Sequence, residues 1–216
     1  MEAAANVNRK KAWQMPPPSE PVTDEYLASV TIGERRPLND RIRLAAYDPV
    51  WPTMFAWAAD EIRAALPSQV LLLEHVGSTS VPELAAKPII DMLLGVADPT
   101  DEESYVPHLE EAGFQLRARE PSWYEHRFLK MRSKSMEWQL HVFSVECEEI
   151  DRMLAFRDRL RGHEDDRRRY EEAKRALAAR TWKHMQHYAD AKSGIVREIL
   201  GRARKEQTAD AVQRPR

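Results

Sequence analysis

Gly77-Ser78-Thr79-Ser80-Val81-Pro82-Glu83-Leu84-Ala85-Ala86-Lys87-Pro88-Ile89-Ile90-Asp91 is the stretch whose reading decides the fold. Just before it, residues 70–76 (VLLLEHV) are almost wholly apolar, and residues 89–96 (IIDMLLGV) form a second apolar run with one carboxylate embedded in it. Runs of this length, bounded by Gly, Ser and Pro, read as strands buried on both faces. The turn between them is rich in small residues and exposes backbone N–H groups and hydroxyls, which suit phosphate oxygens. Asp91 follows Gly77 by fourteen residues on the adjoining strand. From there it could hold a divalent cation, Mg²⁺ or Mn²⁺, against those phosphates.

That layout is the one used for nucleotidyl transfer, which normally needs two or three carboxylates to bind the metal ions that neutralise a triphosphate. The position two residues after Asp91 is Leu93, so a second acid must come from elsewhere. In residues 136–145, Glu137, Gln139, His141 and Phe143 share one face while Trp138, Leu140 and Val142 share the other. A strand so divided can line a cleft, with Glu137 as the second metal ligand and His141 as a ligand or proton carrier. Glu74, close to the turn, is the other source of that acid. Lys87 could meet phosphate as a point charge, and so could Arg127, which follows a loop holding Trp123 and Tyr124 that could stack on a base. Lys174 and Lys192 lie on the apolar stripes of C-terminal helices, where an ammonium sits poorly unless it points into the cleft. His184 and His187 have helical metal-ligand spacing but no supporting acid or thiol.

Outward from this centre, Thr23 caps a short helix ending near Gly33, residues 42–47 read as a strand, and Pro52 opens a helix with Trp51, Phe55, Ala58, Ile62 and Leu66 on one side. Thr100 and Glu103 form a capping-box pattern before a helix to about Ala112. Strands follow at about 114–119, 127–131 and 136–145, then three helices marked by Ile150 to Leu160, Tyr170 to Leu177 and Trp182 to Ile199. The expected fold is α+β: a mixed sheet core over 23–149 and a helical section over 150–204 packed on it, with a disordered leader (1–22) and a flexible tail (205–216).

The totals of the 216 residues limit what this fold does. With 43% hydrophobic and 31% charged residues and a net charge of −2, there is no basic surplus for nucleic acid. The single Cys147 cannot form an internal disulfide, and no apolar run nears the roughly 18 residues of a membrane span. No segment resembles a signal peptide, so a cytoplasmic protein is expected.

The central run resembles the GrpB-like family, small proteins assigned by fold to the nucleotidyltransferase superfamily. The resemblance extends to Tyr47-Asp48-Pro49-Val50-Trp51-Pro52, to Glu74-His75-Val76, to Leu140-His141-Val142 and to Phe156-Arg157-Asp158-Arg159-Leu160-Arg161. Tyr170 with Lys174 and Tyr188 with Lys192 match the family's helical section, so the likeness covers roughly 24–204. It implies a nucleotidyltransferase-like core and carries over Gly77, Ser78, Lys87 and Asp91 as the phosphate and metal site; the turn itself, from Gly77 through Thr79 to Ser80, is the expected phosphate cradle. The chain departs from the family at Glu83, where Gly is usual, and at Gln139, where His or Asn is common. Together these readings imply an enzyme moving a nucleotidyl or related group from an Mg²⁺-bound nucleoside triphosphate to a small acceptor. The alternative is an inactive accessory protein that binds a nucleotide or a coenzyme-A-like ligand; a third is a helical interaction module over 150–204.

Overall fold

The computed structural model describes residues 13–15, 22–34 and 37–213. In chain order the elements are α1 (Asp24–Val30), β1 (Asp40–Arg41), α2 (Trp51–Ala65), β2 (Leu72–Val76), β3 (Ile89–Val96), α3 (Val106–Glu111), β4 (Gln115–Glu120), β5 (His126–Arg132) and β6 (Glu137–Ser144). The helical section then adds α4 (Glu148–Gly162), α5 (Glu164–Ala178), the short β7 (Thr181–Trp182), α6 (Met185–Asp190) and α7 (Ser193–Gln213). Local chemistry starts several of them. Thr23 Oγ1 accepts from the Tyr26 N–H at 3.1 Å to cap α1, and Pro52 occupies the first turn of α2.

Five strands make one mixed sheet in the order β2-β3-β6-β5-β4. The β3–β6 pair is parallel and the others are antiparallel. Because side chains alternate along each strand, the register sorts them into two faces. Ile90, Met92, Leu94, Trp138, Leu140 and Val142 fall on one face and bury against α2 and α3 through Ala58, Ala59, Ile62 and Leu109. On the other face, Asp91 stands beside Val76 and Gln139, and His141 beside Leu93 and Phe128. There α4 covers Val76, Leu93 and Phe143 with Ile150, Met153 and Leu154. A smaller cluster of Val81, Leu84, Leu160, Tyr170 and Ile199 joins the loop before β3 to α4, α5 and α7. The architecture is the nucleotidyltransferase-like α+β arrangement: a mixed sheet core and a helical C-terminal section packed on it.

Several local expectations give way to tertiary contacts. No strand forms over 42–47; Ala45 instead makes a two-bond bridge to Ala86 (2.8 and 2.9 Å). Thr100 does not enter a capping box, because its N–H and hydroxyl both donate to Asp98 Oδ1 (2.8 and 2.7 Å). The last expected helix is broken into α6 and α7 with Ala191 and Lys192 between them, and α7 runs past residue 204 into the expected tail. Within the expected leader, Trp13 is buried against Ala155 and Leu200 with Met15 half-buried beside it, while Gln14 is exposed. The rest of that leader, apart from Val22, and residues 214–216 lie outside the described residues. Among the described residues no helix is long and apolar enough to cross a membrane.

Candidate functional site

A cavity of about 810 Å³ opens between the polar face of the sheet, the turn after β2, α1 and the α5–α6 region. Its floor is set by backbone geometry. Gly77 has φ +67°, and a Cβ there would lie 2.9 Å from both Cβ and Cγ of Asp91 and nearer still to Oδ2. Only glycine permits the Asp91 carboxylate to lie over the turn. Residues Ser78–Ser80 then form one 3₁₀ turn. Of its three hydroxyls, Ser80 donates to Gly77 O at 2.6 Å, and Thr79 donates to Ile89 O at 3.0 Å while facing His75 Nε2 at 3.1 Å. Those two hold the turn in shape. Ser78 Oγ turns toward the cavity and accepts from Lys174 Nζ at 3.2 Å.

Three lysines converge here from separate elements. Lys174 of α5 is 2% exposed; its ammonium donates to Ala85 O and lies 5.0 Å from the centre of the Tyr170 ring. Burial, then the charge of Lys192, pulls it down to about 7. Lys87 reaches in just before β3, 3.0 Å from Met185 Sδ and 5.6 Å from the centre of the Tyr188 ring, and burial and Lys192 lower it to about 8. Lys192, at the break between α6 and α7, lies 4.8 Å from the same ring centre and is also lowered by burial, against the pull of Asp91. Asp91 itself is pushed up to about 6 by burial, with Lys87 and Lys192 opposing. Among the described residues its carboxylate makes no hydrogen bond and no ion pair within 4.0 Å. Tyr170, hydrogen-bonded to Ser78, is raised to about 12 by burial and stays a neutral phenol. One carboxylate and three poorly solvated amines thus face one space, a set whose charges await an anion.

The expected metal ligands do not assemble. Glu137 sits beside Ile89 rather than Asp91, and accepts from Lys130 Nζ (3.1 Å), from Arg132 and from Gln139 Nε2 (2.5 Å). Burial pushes its carboxyl up, but Lys130 and these hydrogen bonds outweigh it and hold the group below the usual range. Glu74 pairs with Arg157 Nη1 at 2.7 Å and faces a different depression, under α4. Among the described residues no cluster of three or more His, Cys, Asp or Glu side chains is placed to hold a metal ion. An Mg²⁺ or Mn²⁺ ion would meet one carboxylate among three ammonium groups, a donor set that does not fit a resident divalent cation.

The remaining expected residues divide. His141 lines the cavity, and Trp123 does too, edge-on to Phe143 at 5.3 Å. Tyr124 faces outward to Glu148 and Arg152. Arg127 is a correction: it pairs in register with Val142, so it projects to the apolar face, where Nε donates to Glu102 Oε1 at 2.6 Å. His184 and His187 face Asp24 of α1 at 3.2 and 3.8 Å. Glu83 has φ +65°, the left-handed region that favours glycine, and its carboxylate is drawn to Arg167 at 2.8 Å, not to the turn. Sequence reasoning missed Tyr26, Glu120 and His126. Tyr26 donates to Glu120 Oε1 at 2.8 Å, Glu120 Oε2 meets His126 Nδ1 at 2.7 Å, and His126 Nε2 meets His141 Nδ1 at 3.0 Å. The alternation His126, Phe128, Lys130 on β5 was the available signal for His126; nothing local marks Tyr26, 94 residues from its partner.

Comparison with known proteins agrees with this architecture. The family described as GrpB protein matches residues 41–202. A UPF0157 protein of Halalkalibacterium halodurans is 55% identical over 185 residues, covering 86% of this chain and 94% of its own length. One from Streptomyces coelicolor is 43% identical over 75% of this chain and 84% of its own. The crystal structure of conserved protein GrpB from Enterococcus faecalis is similar with a TM-score of 0.65 at 28% identity, covering 76% of this chain and 98% of that one.

Proposed function

The chain belongs to the GrpB family, and on that premise we propose that its cavity binds a nucleotide and transfers a nucleotidyl or other phosphate-bearing group to a small acceptor. The observation that carries this reading is the convergence of Lys87, Lys174 and Lys192 on Ser78 and Asp91. Amines held at about 7 and 8 by burial regain their full charge when a multiply charged anion enters. The cavity volume suits a ligand of nucleotide size, and Trp123 and Phe128 supply an aromatic wall. In the transfer, an acceptor oxygen attacks phosphorus, the bond to the leaving phosphate breaks, and the lysines meet the charge that develops on the departing oxygens. The chemistry runs on ammonium groups without a resident divalent ion. Asp91 offsets part of the charge on Lys87 and Lys192 and faces the acceptor.

A second reading rests on the same single carboxylate. With Leu93 buried where a second acid would stand, the site also fits a protein that holds a nucleotide or a coenzyme-A-like ligand without reacting it. Thermal unfolding with each nucleoside triphosphate, with and without Mg²⁺, tests the proposal. Ligand at about 100 times its dissociation constant adds roughly 2.7 kcal/mol, a shift of about 5–10 °C. The shift should be lost in Lys174→Met and kept in Asp91→Asn. Binding that never releases pyrophosphate in any acceptor mixture would favour the second reading; no shift with any nucleotide would sink both for that ligand class.

A further inference from the structure

On the acceptor side of the same cavity, and resting on the proposed transfer, a second set of groups converges. Glu120 of β4, His126 of β5 and His141 of β6 form a continuous chain, closed at its outer end by Tyr26 of α1. His126 is 2% exposed, its ring stacked on His141 (centroids 5.1 Å, 18°) and on Phe143 (4.6 Å, 23°), so the pair is clamped in one orientation. We propose that Glu120 and His126 hold His141 in the tautomer whose Nε2 is bare and open to the cavity, and that this atom takes the proton from the acceptor hydroxyl.

The tautomers follow from counting donors. Tyr26, raised to about 12 by burial and then by Glu120, remains a phenol and donates to Glu120. Burial raises the Glu120 carboxyl, but the hydrogen bonds from His126 and the Tyr26 hydroxyl bring it below its usual range, so it is ionised. An ionised carboxylate only accepts, so His126 carries its proton on Nδ1. A neutral His126 then has a lone pair at Nε2, and at 3.0 Å the facing Nδ1 of His141 must donate. What remains is an unprotonated Nε2 on His141, which makes no hydrogen bond to the described residues and lies on the cavity wall. Burial keeps both rings neutral; for His126 it outweighs Glu120, with Arg127 acting alongside it, and for His141 it is joined by Lys130.

The placement suits the reaction. His141 lies one strand over from Leu93 and two residues beyond Gln139, the partner of Asp91. By strand spacing the Asp91 and His141 backbones are about 8 Å apart, room for a phosphoryl group flanked by an attacking hydroxyl. The step balances: the hydroxyl proton moves to Nε2, the new O–P bond forms, and the old P–O bond breaks with its electrons leaving on the phosphate toward Lys87, Lys174 and Lys192. The charge gained by His141 is met by Glu120 through His126, which makes Glu120 and His126 positioning residues and His141 the catalytic one.

Long-range ¹H–¹⁵N spectra of the histidine-labelled full chain near pH 7 test this without knowledge of the acceptor. The wild type should show His141 protonated on Nδ1 and bare on Nε2, and His126→Leu should turn His141 into a mixture of tautomers. Glu120→Gln should move protonation of the histidine pair to lower pH, a displacement that a merely structural role would not produce. A wild-type His141 carrying its proton on Nε2, or a tautomer unchanged in His126→Leu, would overturn the relay. Because the wild-type spectrum decides the first point alone, a variant that fails to fold does not blunt the test. Nucleotide thermal shifts on the same samples separate the two ideas: a correct tautomer with no nucleotide binding fails the transfer reading, and the reverse fails the relay.

Discussion

The two faces of the sheet are made by the same strands and share no chemistry. Ile90, Met92 and Leu94 on β3 and Trp138, Leu140 and Val142 on β6 pack into one continuous apolar core with α2 and α3. One residue over, Asp91, Gln139 and His141 open onto a cavity in which three amines lie below their ordinary range, a carboxyl lies above its own and two histidines are held neutral. The first face supplies stability by removing apolar surface from water. The second gives some of it up, because each buried amine or carboxyl resists charging until a partner arrives. Substitutions on the two faces should therefore separate folding from binding.

The largest effect should come from the apolar face. Leu140 is fully buried, and Leu140→Ala should cost about 2–5 kcal/mol, lowering Tm by roughly 5–15 °C while nucleotide affinity in the surviving folded protein stays within about twofold. Chemical denaturation followed by ligand titration checks both halves. On the polar face the pattern inverts: Lys192→Met should weaken nucleoside triphosphate binding at least about tenfold, some 1.4 kcal/mol, with Tm unchanged or raised. A Lys192→Met protein that unfolds as readily as Leu140→Ala would erase the distinction between the faces.

The pH dependence sharpens it further. In the unfolded chain a lysine titrates near 10.5, whereas Lys174 and Lys87 titrate at about 7 and 8 in the fold. Between about pH 7 and 10 the unfolded chain binds more protons, so stability should rise with pH across that window. Asp91, raised to about 6, acts in the opposite sense at lower pH, removing stability as pH climbs from about 4 to 6. Urea unfolding at several pH values should show the alkaline rise, and Lys174→Met should reduce it to the part due to Lys87, where Leu140→Ala leaves it intact. The smallest effect is at Glu83. Glu83→Gly relieves a left-handed backbone at the expense of an exposed pair with Arg167, for a net gain of about 0.5–1 kcal/mol and no change in binding.

The sheet was largely legible because period-two patterns and small-residue turns are local signals. All five strands of the sheet lie within about two residues of where apolar runs, alternation and bounding turns place them. Asp91 was legible for the same reason, as a single charge in an apolar run. The remainder of the site is assembled by contacts that sequence proximity does not encode. Lys192 reaches the cavity because the helix expected over 182–199 breaks beside it, and a stripe stepping in threes and fours looks the same in one helix or two. Arg127 was misplaced although its parity with Leu129 and Met131 assigns it to the apolar side. Glu137 and Glu74 read as metal ligands only until their partners, Lys130, Arg132 and Arg157, arrive from other elements. The triad of Glu120, His126 and His141 spans three strands, and its outer hydroxyl comes from α1.

The central claim is that lysines, not a resident metal ion, hold the phosphates beside Asp91. Calorimetric titration of ATP into the wild type, Lys192→Met and Asp91→Asn, in a chelator and again with Mg²⁺, tests it most directly. The account predicts binding in the chelator, weakened at least about tenfold by Lys192→Met and retained by Asp91→Asn. Binding that appears only with Mg²⁺ and vanishes in Asp91→Asn would contradict it.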